Sequence, residues 1–416
     1  MMEEQKQINI SGPVRRRYLV LDLLRGFALL GIILANFPEF SLWTFQTEQT
    51  QSDMPSAGVD RVLQWLLAIF VDGKFYTLFS LLFGIGFSII ISNCMERGTN
   101  GRRVFYRRMA VLVVIGLLHL MLLWSGDILL LYALMGMLLP LFWKCSDKGL
   151  LRWALFFLLL PVVVETFRKL TGFSLAAFPY DAWWAKCGEY GITEDNFGTW
   201  LRDSNSYSGV HQFLMQGAWE RLWEFVDGNR YFKVLGLFLF GLYVGRRRVY
   251  AQLEAKKKQI RRVFLLGMAV GLPLSVVYAW SSLCGHAWGR VAHTALYTMS
   301  VYPLGFSYAA GLALLFLRRQ HLWVWKALAM PGKMALTNYL LHSFSGIVLF
   351  YGVGFGMGAS VSLAATELLA IAVYCALLIL SGLWLRFFQY GPVEWGWRML
   401  TYGRIFSIRK HKADRL

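Results

Sequence analysis

The chain has 416 residues, 57% of them hydrophobic and 16% charged, with a formal net charge of +18 and a positive mean hydropathy. Apolar runs of about 18 residues or more recur along its whole length, which excludes one soluble core and predicts an all-α, polytopic transmembrane helical bundle. The positive charge does not call for nucleic acid, because Arg246-Arg247-Arg248 and Lys256-Lys257-Lys258 fall in a predicted cytoplasmic loop, where Lys and Arg collect for topological reasons.

Residues 1–17 form a polar head ending in Arg15-Arg16-Arg17. No small-residue cleavage site follows the first apolar run, so that run is expected to stay as an anchor. It covers roughly 19–42 and carries Asp22 and Arg25 three residues apart, on one face and able to pair near the cytoplasmic entrance. Asn36 lies in its outer half. The stretch 59–93 is too long for one perpendicular crossing. An amphipathic or re-entrant piece over 59–71 should break at Asp72-Gly73-Lys74, leaving Lys74 near the outer mouth, before 75–91 crosses inward.

Two apolar runs then flank the turn Ser125-Gly126-Asp127, with Arg107 and Arg108 before the first and Lys144 after the second. This reads as a membrane hairpin whose turn faces outside. His119 lies about six residues from that turn, roughly 9 Å at the helical rise, and an ionisable group at such depth is a functional-site hypothesis by default.

A fifth crossing over 153–167 leads to a polar insertion, 168–230, expected to fold as a small external cap of short helices. Crossings follow over 231–245, 263–282, 293–317, 334–350 and 363–388, giving about ten in all with both termini inside. The chain thus divides into helices 1–5 (1–167), the insertion (168–230), helices 6–10 (231–388) and a cytoplasmic amphipathic tail (389–416). The segment 318–333, with Trp323 and Trp325, suits an interfacial helix. Of five isolated cysteines, Cys187 and Cys284 are expected outside, where a single disulfide is one option; no metal-ligand spacing is present.

Several polar residues could carry chemistry. His119 can take a proton from an acceptor hydroxyl and Asp127 can fix its tautomer, although Asp127 can equally cap the helix that follows it. Asn36 and Lys74 could polarise a carbonyl, or serve as an interhelical hydrogen bond and a snorkelling cation. Asp22 and Arg25 form either a structural pair or an anchor for a phosphate-bearing ligand. Lys333, Asn338 and His342 could line an inner vestibule, with Asn338 and His342 four apart on one helical face. Walker, dinucleotide, zinc-protease and nucleophile-elbow motifs are absent from any credible context.

These residues sit in stretches that resemble the YeiB-like membrane protein family (domain of unknown function 418). The stretches are Asp22-Leu-Leu-Arg25-Gly26 with Asn36, Lys74-Phe75 through LFSLLFGIGF, the Gly116 to Ala133 hairpin, LGLFLFGLYVGR, GKMALTNYLLHS and GPVEWGWRMLTYGR. The helix 1 pattern is also distantly similar to that of heparan-alpha-glucosaminide N-acetyltransferase and other transmembrane acyltransferases, which acylate an acceptor across the membrane from cytoplasmic acyl-CoA. That resemblance assigns Asp22, Arg25 and Asn36 to the shared helix 1 elements. The acetyltransferase has its catalytic His in the loop after the Asn, whereas 37–73 here contains none; His119 would have to take the role from another helix. The expectation is an inner-membrane acyltransferase using acyl-CoA (acetyl-CoA) as co-substrate, with His119, Asp127, Asn36 and Lys74 as catalytic residues and Arg25, Asp22, Lys333, Asn338 and His342 toward the donor. Its partners would be the lipid bilayer and an external glycan acceptor, with a homodimer left open. The alternative is a transporter or channel for a small polar or anionic solute.

Overall fold

The computed structural model describes residues 18–410. The polar head with Arg15–Arg17 and the last residues of the predicted tail lie outside them. Eighteen α-helices account for the described fold, and the only extended pairing among the described residues is an isolated antiparallel bridge between Phe388 and Arg409. Among the described residues, seven stretches are long and apolar enough to cross a membrane, and the protein is a multi-pass membrane protein.

The first is α1 (Leu19–Phe40). A short α2 (Glu48–Ser52) leads into α3 (Ala57–Phe70) and α4 (Lys74–Glu96), which are counted together as one apolar stretch. The expected break between them is present. Gly73 adopts φ +73°, a left-handed conformation that costs glycine little, and α4 starts at the next residue. On α3, Val59, Val62, Leu66 and Phe70 are exposed at helical spacing, the outward face of an amphipathic piece.

The hairpin begins with α5 (Gly101–Leu122), but its second arm is not one continuous helix. α6 (Leu129–Gly136) ends after eight residues, and a 3₁₀ turn over Leu139–Phe142 follows, with Pro140 unable to donate to the preceding turn. α7 (Asp147–Thr171) is longer than the sequence indicates. The insertion folds as α8 (Ala177–Tyr190), α9 (Glu194–Phe197), α10 (Trp200–Asp203) and the 21-residue α11 (Tyr207–Asp227). Cys187 is buried within it and Cys284 is exposed elsewhere; both are free thiols, so the optional disulfide is not formed.

α12 (Arg230–Arg246), α13 (Lys257–Leu283) and α14 (Gly289–Arg318) complete the second half with α15 (Trp323–Lys333), α16 (Ala335–Phe350), α17 (Leu363–Phe387) and α18 (Pro392–Tyr402). Small residues bring backbones together: a Cβ on Gly26 would overlap the Leu328 carbonyl, and one on Gly332 the Asp22 carbonyl. α15 therefore packs along α1 with Trp325 and Ala329 buried, while Trp323 and Lys326 are exposed on its other face. α18 is fastened to two neighbours. The Glu394 carboxylate accepts from the backbone N–H of Leu336 (2.7 Å) and Thr337 (3.0 Å), capping the start of α16, and the Trp397 indole donates to the Arg108 carbonyl (2.9 Å). Burial raises the carboxyl of Glu394 above its ordinary range, opposed by these donors.

Candidate functional site: a void running between the ends of the bundle

One connected void of about 2160 Å³ runs beside α1, α4 and α5. At one end it is lined by Asp22, Arg25, Arg108, Lys333, Glu394 and Arg398; at the other by Asn36, Glu39, Arg221, Glu224, Asn229 and Lys233. Between them lie Phe79, Phe83, Phe87, Met109 and Leu112, an apolar waist. The helices explain this polarity. Arg25 and Asn36 are eleven residues apart on α1, about three turns, so one helix carries a polar group to each end.

At the first end Arg25 donates to Asp22 at 3.0 Å, the pair that the i, i+3 spacing predicts. The Arg108 guanidinium stacks 3.5 Å over the Trp397 ring, an arrangement that holds a planar cation flat while leaving its edge for an anion. Lys333 joins this end, as the sequence suggests. Asn338 and His342 do not. Asn338 is buried and bonded to the Pro331 carbonyl (3.2 Å) and Ser381 (3.0 Å), while His342 is buried with no hydrogen-bond partner on either ring nitrogen among the described residues.

The residues singled out for proton transfer lie behind the opposite end of the wall. His119 is 1% exposed and is not part of the void's lining. Its Nδ1 pairs with Asp127 Oδ1 at 2.9 Å and its Nε2 with Ser343 Oγ at 2.8 Å, a Ser–His–Asp series with both ring nitrogens in use. The helical rise alone would keep His119 and Asp127 apart. The tight turn after Trp124 folds Asp127 back, and its Oδ2 also accepts from the Leu130 N–H at 2.7 Å, capping α6. Lys74 is likewise fully buried and off the lining. Its Nζ donates to the Ala68 carbonyl at 2.7 Å, finishing α3.

What meets the void here is Asn36, as expected, together with Glu39, Arg221 and Glu224, which the sequence does not single out. Glu39 lies one turn beyond Asn36 on α1, and both face the void; Asn36 has no side-chain hydrogen bond among the described residues. Arg221 donates from Nε to the Asp127 carbonyl (2.9 Å) and pairs through NH1 with Glu224, tying the His119 series to the cavity wall. Burial works against the charge on Arg221, but Glu224 and Glu39 raise its pKa above the ordinary value. Burial would raise the Glu224 carboxyl, and Arg230 and Arg221 outweigh it to leave that pKa lowered. The i, i+3 spacing of Asn36 with Glu39 and of Arg221 with Glu224 was visible in the sequence; their meeting across the fold was not.

The family model described as "Protein of unknown function (DUF418)" matches residues 244–404, from the end of α12 through α18. The uncharacterized 39.9 kDa protein in the amylase 3' region of Bacillus acidopullulyticus is 31% identical over 408 residues, covering 95% of this chain and 96% of its own. This chain belongs to the DUF418 family. The uncharacterized protein YxaH from Bacillus subtilis (strain 168) is 28% identical over 407 residues, covering 92% of this chain and 94% of its own. The uncharacterized YeiB from Escherichia coli (strain K12) is 28% identical over 405 residues, covering 92% and 96%. No solved structure matches the chain.

Proposed function

We propose that the protein is a membrane-embedded acyltransferase that moves an acyl group, acetyl by the helix 1 resemblance, from cytoplasmic acyl-CoA to a hydroxyl of an external glycan or metabolite. The observation that carries this reading is the continuity of the void from Arg25 and Arg108 to Asn36 and Glu39. Arg108, Arg25 and Lys333 suit the phosphates of a coenzyme A head. Most of the Lys and Arg lie in loops at that end under a ten-crossing arrangement, which puts it on the cytoplasmic side by the positive-inside rule. The bacterial relatives favour the inner membrane.

In this mechanism Glu39 takes the proton of the acceptor hydroxyl, and the hydroxyl oxygen attacks the thioester carbonyl, which the Asn36 amide polarises. The C–S bond breaks and the departing thiolate takes up the proton, leaving an ester and free coenzyme A. His119 and Asp127 act one step back, by holding Arg221 beside Glu39. Acetyl-CoA should raise the unfolding midpoint of the detergent-purified chain, and Glu39→Gln should slow transfer by about a hundredfold or more. Absence of acyl-CoA binding, or undiminished transfer by Glu39→Gln, would overturn the reading.

The second reading is a transporter for a small polar or anionic solute, which the same continuous void would serve with no covalent step. Solute flux into liposomes without acyl-CoA would establish that alternative.

A further inference from the structure

The lipid-facing stripe of α7 does not stop where its apolar run ends. Leu159, Val163, Phe167 and Leu170 are exposed at spacings of four, four and three residues, so they share one helical face, and Leu170, at 80% exposure, carries that face a turn beyond Phe167. Exposed apolar side chains continue around the corner into α8 at Phe173, Leu175 and Phe178, the last of them 70% exposed. Helix length supplies a reason. From Trp153 to Phe167 the helix rises only about 22 Å, short of a hydrocarbon core of roughly 30 Å, so the apolar residues past Phe167 fall where the crossing has still to be completed.

The backbone of this corner is arranged for surroundings with little water. Thr171 Oγ1 donates to the Phe167 carbonyl (2.9 Å) and accepts from the Phe173 N–H (3.2 Å). Ser174 accepts from the Ala176 N–H through its hydroxyl (3.2 Å) and from the Ala177 N–H through its carbonyl (3.3 Å), and the Gly172 N–H closes on the Arg168 carbonyl (2.9 Å). Polar side chains thus turn onto the backbone while the large apolar ones stay exposed, the pattern that a chain in contact with lipid requires. Cations flank it: Lys169 is exposed, and Arg168 pairs inward with Asp227 at 2.6 Å. The opposite corner of the cap differs. Between α8 and α9, and in the first turn of α9, the exposed residues are Gly191, Thr193, Glu194 and Asp195, a polar and acidic surface suited to water.

We infer that the corner 170–178 is a lipid-binding surface, seated in the leaflet on the cap side of the bilayer with Lys169 at phosphate level. Phospholipid is the occupant because the patch is continuous with the face that α7 already turns to the bilayer. Arg168 links the corner to Asp227, which lines the void with Arg290, so the seated corner holds that end of the void at headgroup depth.

Spin labels on the full-length chain in phosphatidylcholine vesicles test this. Cys145, Cys284 and Cys375 are first replaced by serine, leaving the buried Cys94 and Cys187. Labels at Phe178→Cys and Leu175→Cys, exposed positions where substitution costs the fold little, are compared with Phe156→Cys on α7 and Glu194→Cys on the opposite corner. The measured quantity is the ratio of collisions with oxygen, which dissolves in hydrocarbon, to collisions with a polar nickel chelate, which does not. It should be about threefold or more higher at Phe178 and Leu175 than at Glu194, and close to that at Phe156. Ratios at Phe178 and Leu175 equal to that at Glu194 would overturn the inference. So would exclusion of both reagents with dipolar broadening between labels, the signature of a second copy covering the patch.

Discussion

Two polar groups flank the far end of the void, and they differ in hydrogen-bond saturation. Around His119, both ring nitrogens, both Asp127 oxygens and the Asp127 carbonyl are occupied at 2.7–2.9 Å, all behind the wall. Around Asn36 and Glu39 the side chains line the void, and Asn36 has no side-chain hydrogen bond among the described residues. A saturated buried network rigidifies the fold and has no valence left for a ligand, whereas an unsaturated one lining a cavity is poised to bind. An intramembrane histidine draws attention in a sequence, yet here it braces the structure that presents Glu39 and Arg221.

The comparison is broken most easily on its saturated side. His119→Ala would strand the Asp127 carboxylate, 1% exposed, with only the Leu130 N–H for company, and remove the partner of Ser343. The expected cost is about 3 kcal/mol, seen as a large drop in the thermal unfolding midpoint in detergent. A midpoint unchanged from the parent would mean that the network does not brace the bundle, and the distinction between the two groups would collapse.

The clamp on Asp227, which lines the void, gives the next effect. Burial would raise the Asp227 carboxyl, but Arg290 and Arg168 outweigh it and hold its pKa below the ordinary 3.8. A depressed folded pKa means that the unfolded chain binds the proton more tightly, so this stabilisation is present above about pH 4 and is lost as pH falls through the folded pKa. Asp227→Asn should cost about 1–2 kcal/mol at pH 7, discounted for the partly exposed arginines, and the gap from the parent should close below pH 4. Unfolding midpoints taken from pH 3 to 7 check this; a gap independent of pH would show that Asp227 acts by packing alone.

The fold was legible where short-range rules govern it. The all-helical class follows from long apolar runs, the break before α4 from Asp72-Gly73-Lys74, and the Asp22–Arg25 pair from i, i+3 spacing. The interruption of the second hairpin arm was hard to see, because its composition is as apolar as an unbroken helix and only Gly136 and Pro140 hint at the early stop of α6. The packing of α15 on α1 was not legible, because it depends on the closeness that Gly26 and Gly332 permit across the fold. The site was half legible. His119 with Asp127, and Asn36 with Arg25, stand out as polar groups in apolar surroundings; Ser343 and Asn229 are ordinary residues in sequence, given meaning only by partners 224 and 64 positions away.

The smallest effect on stability should accompany a large effect on function, and Asn36 is where the two separate. Its side chain lines the void and bonds to nothing else described, so Asn36→Ala removes no internal hydrogen bond and leaves no buried group stranded. The unfolding midpoint should therefore stay within what a change of about 0.5 kcal/mol produces. If the amide polarises the thioester carbonyl, its loss should still lower acyl transfer by about a hundredfold, the scale on which single oxyanion donors act. Asn36→Asp sharpens the point: it keeps the volume but replaces an N–H donor with a carboxylate beside Glu39, so it should be no more active than the alanine variant. Recovery of transfer in Asn36→Asp would show that the position needs only size or polarity, and would remove carbonyl polarisation from the mechanism.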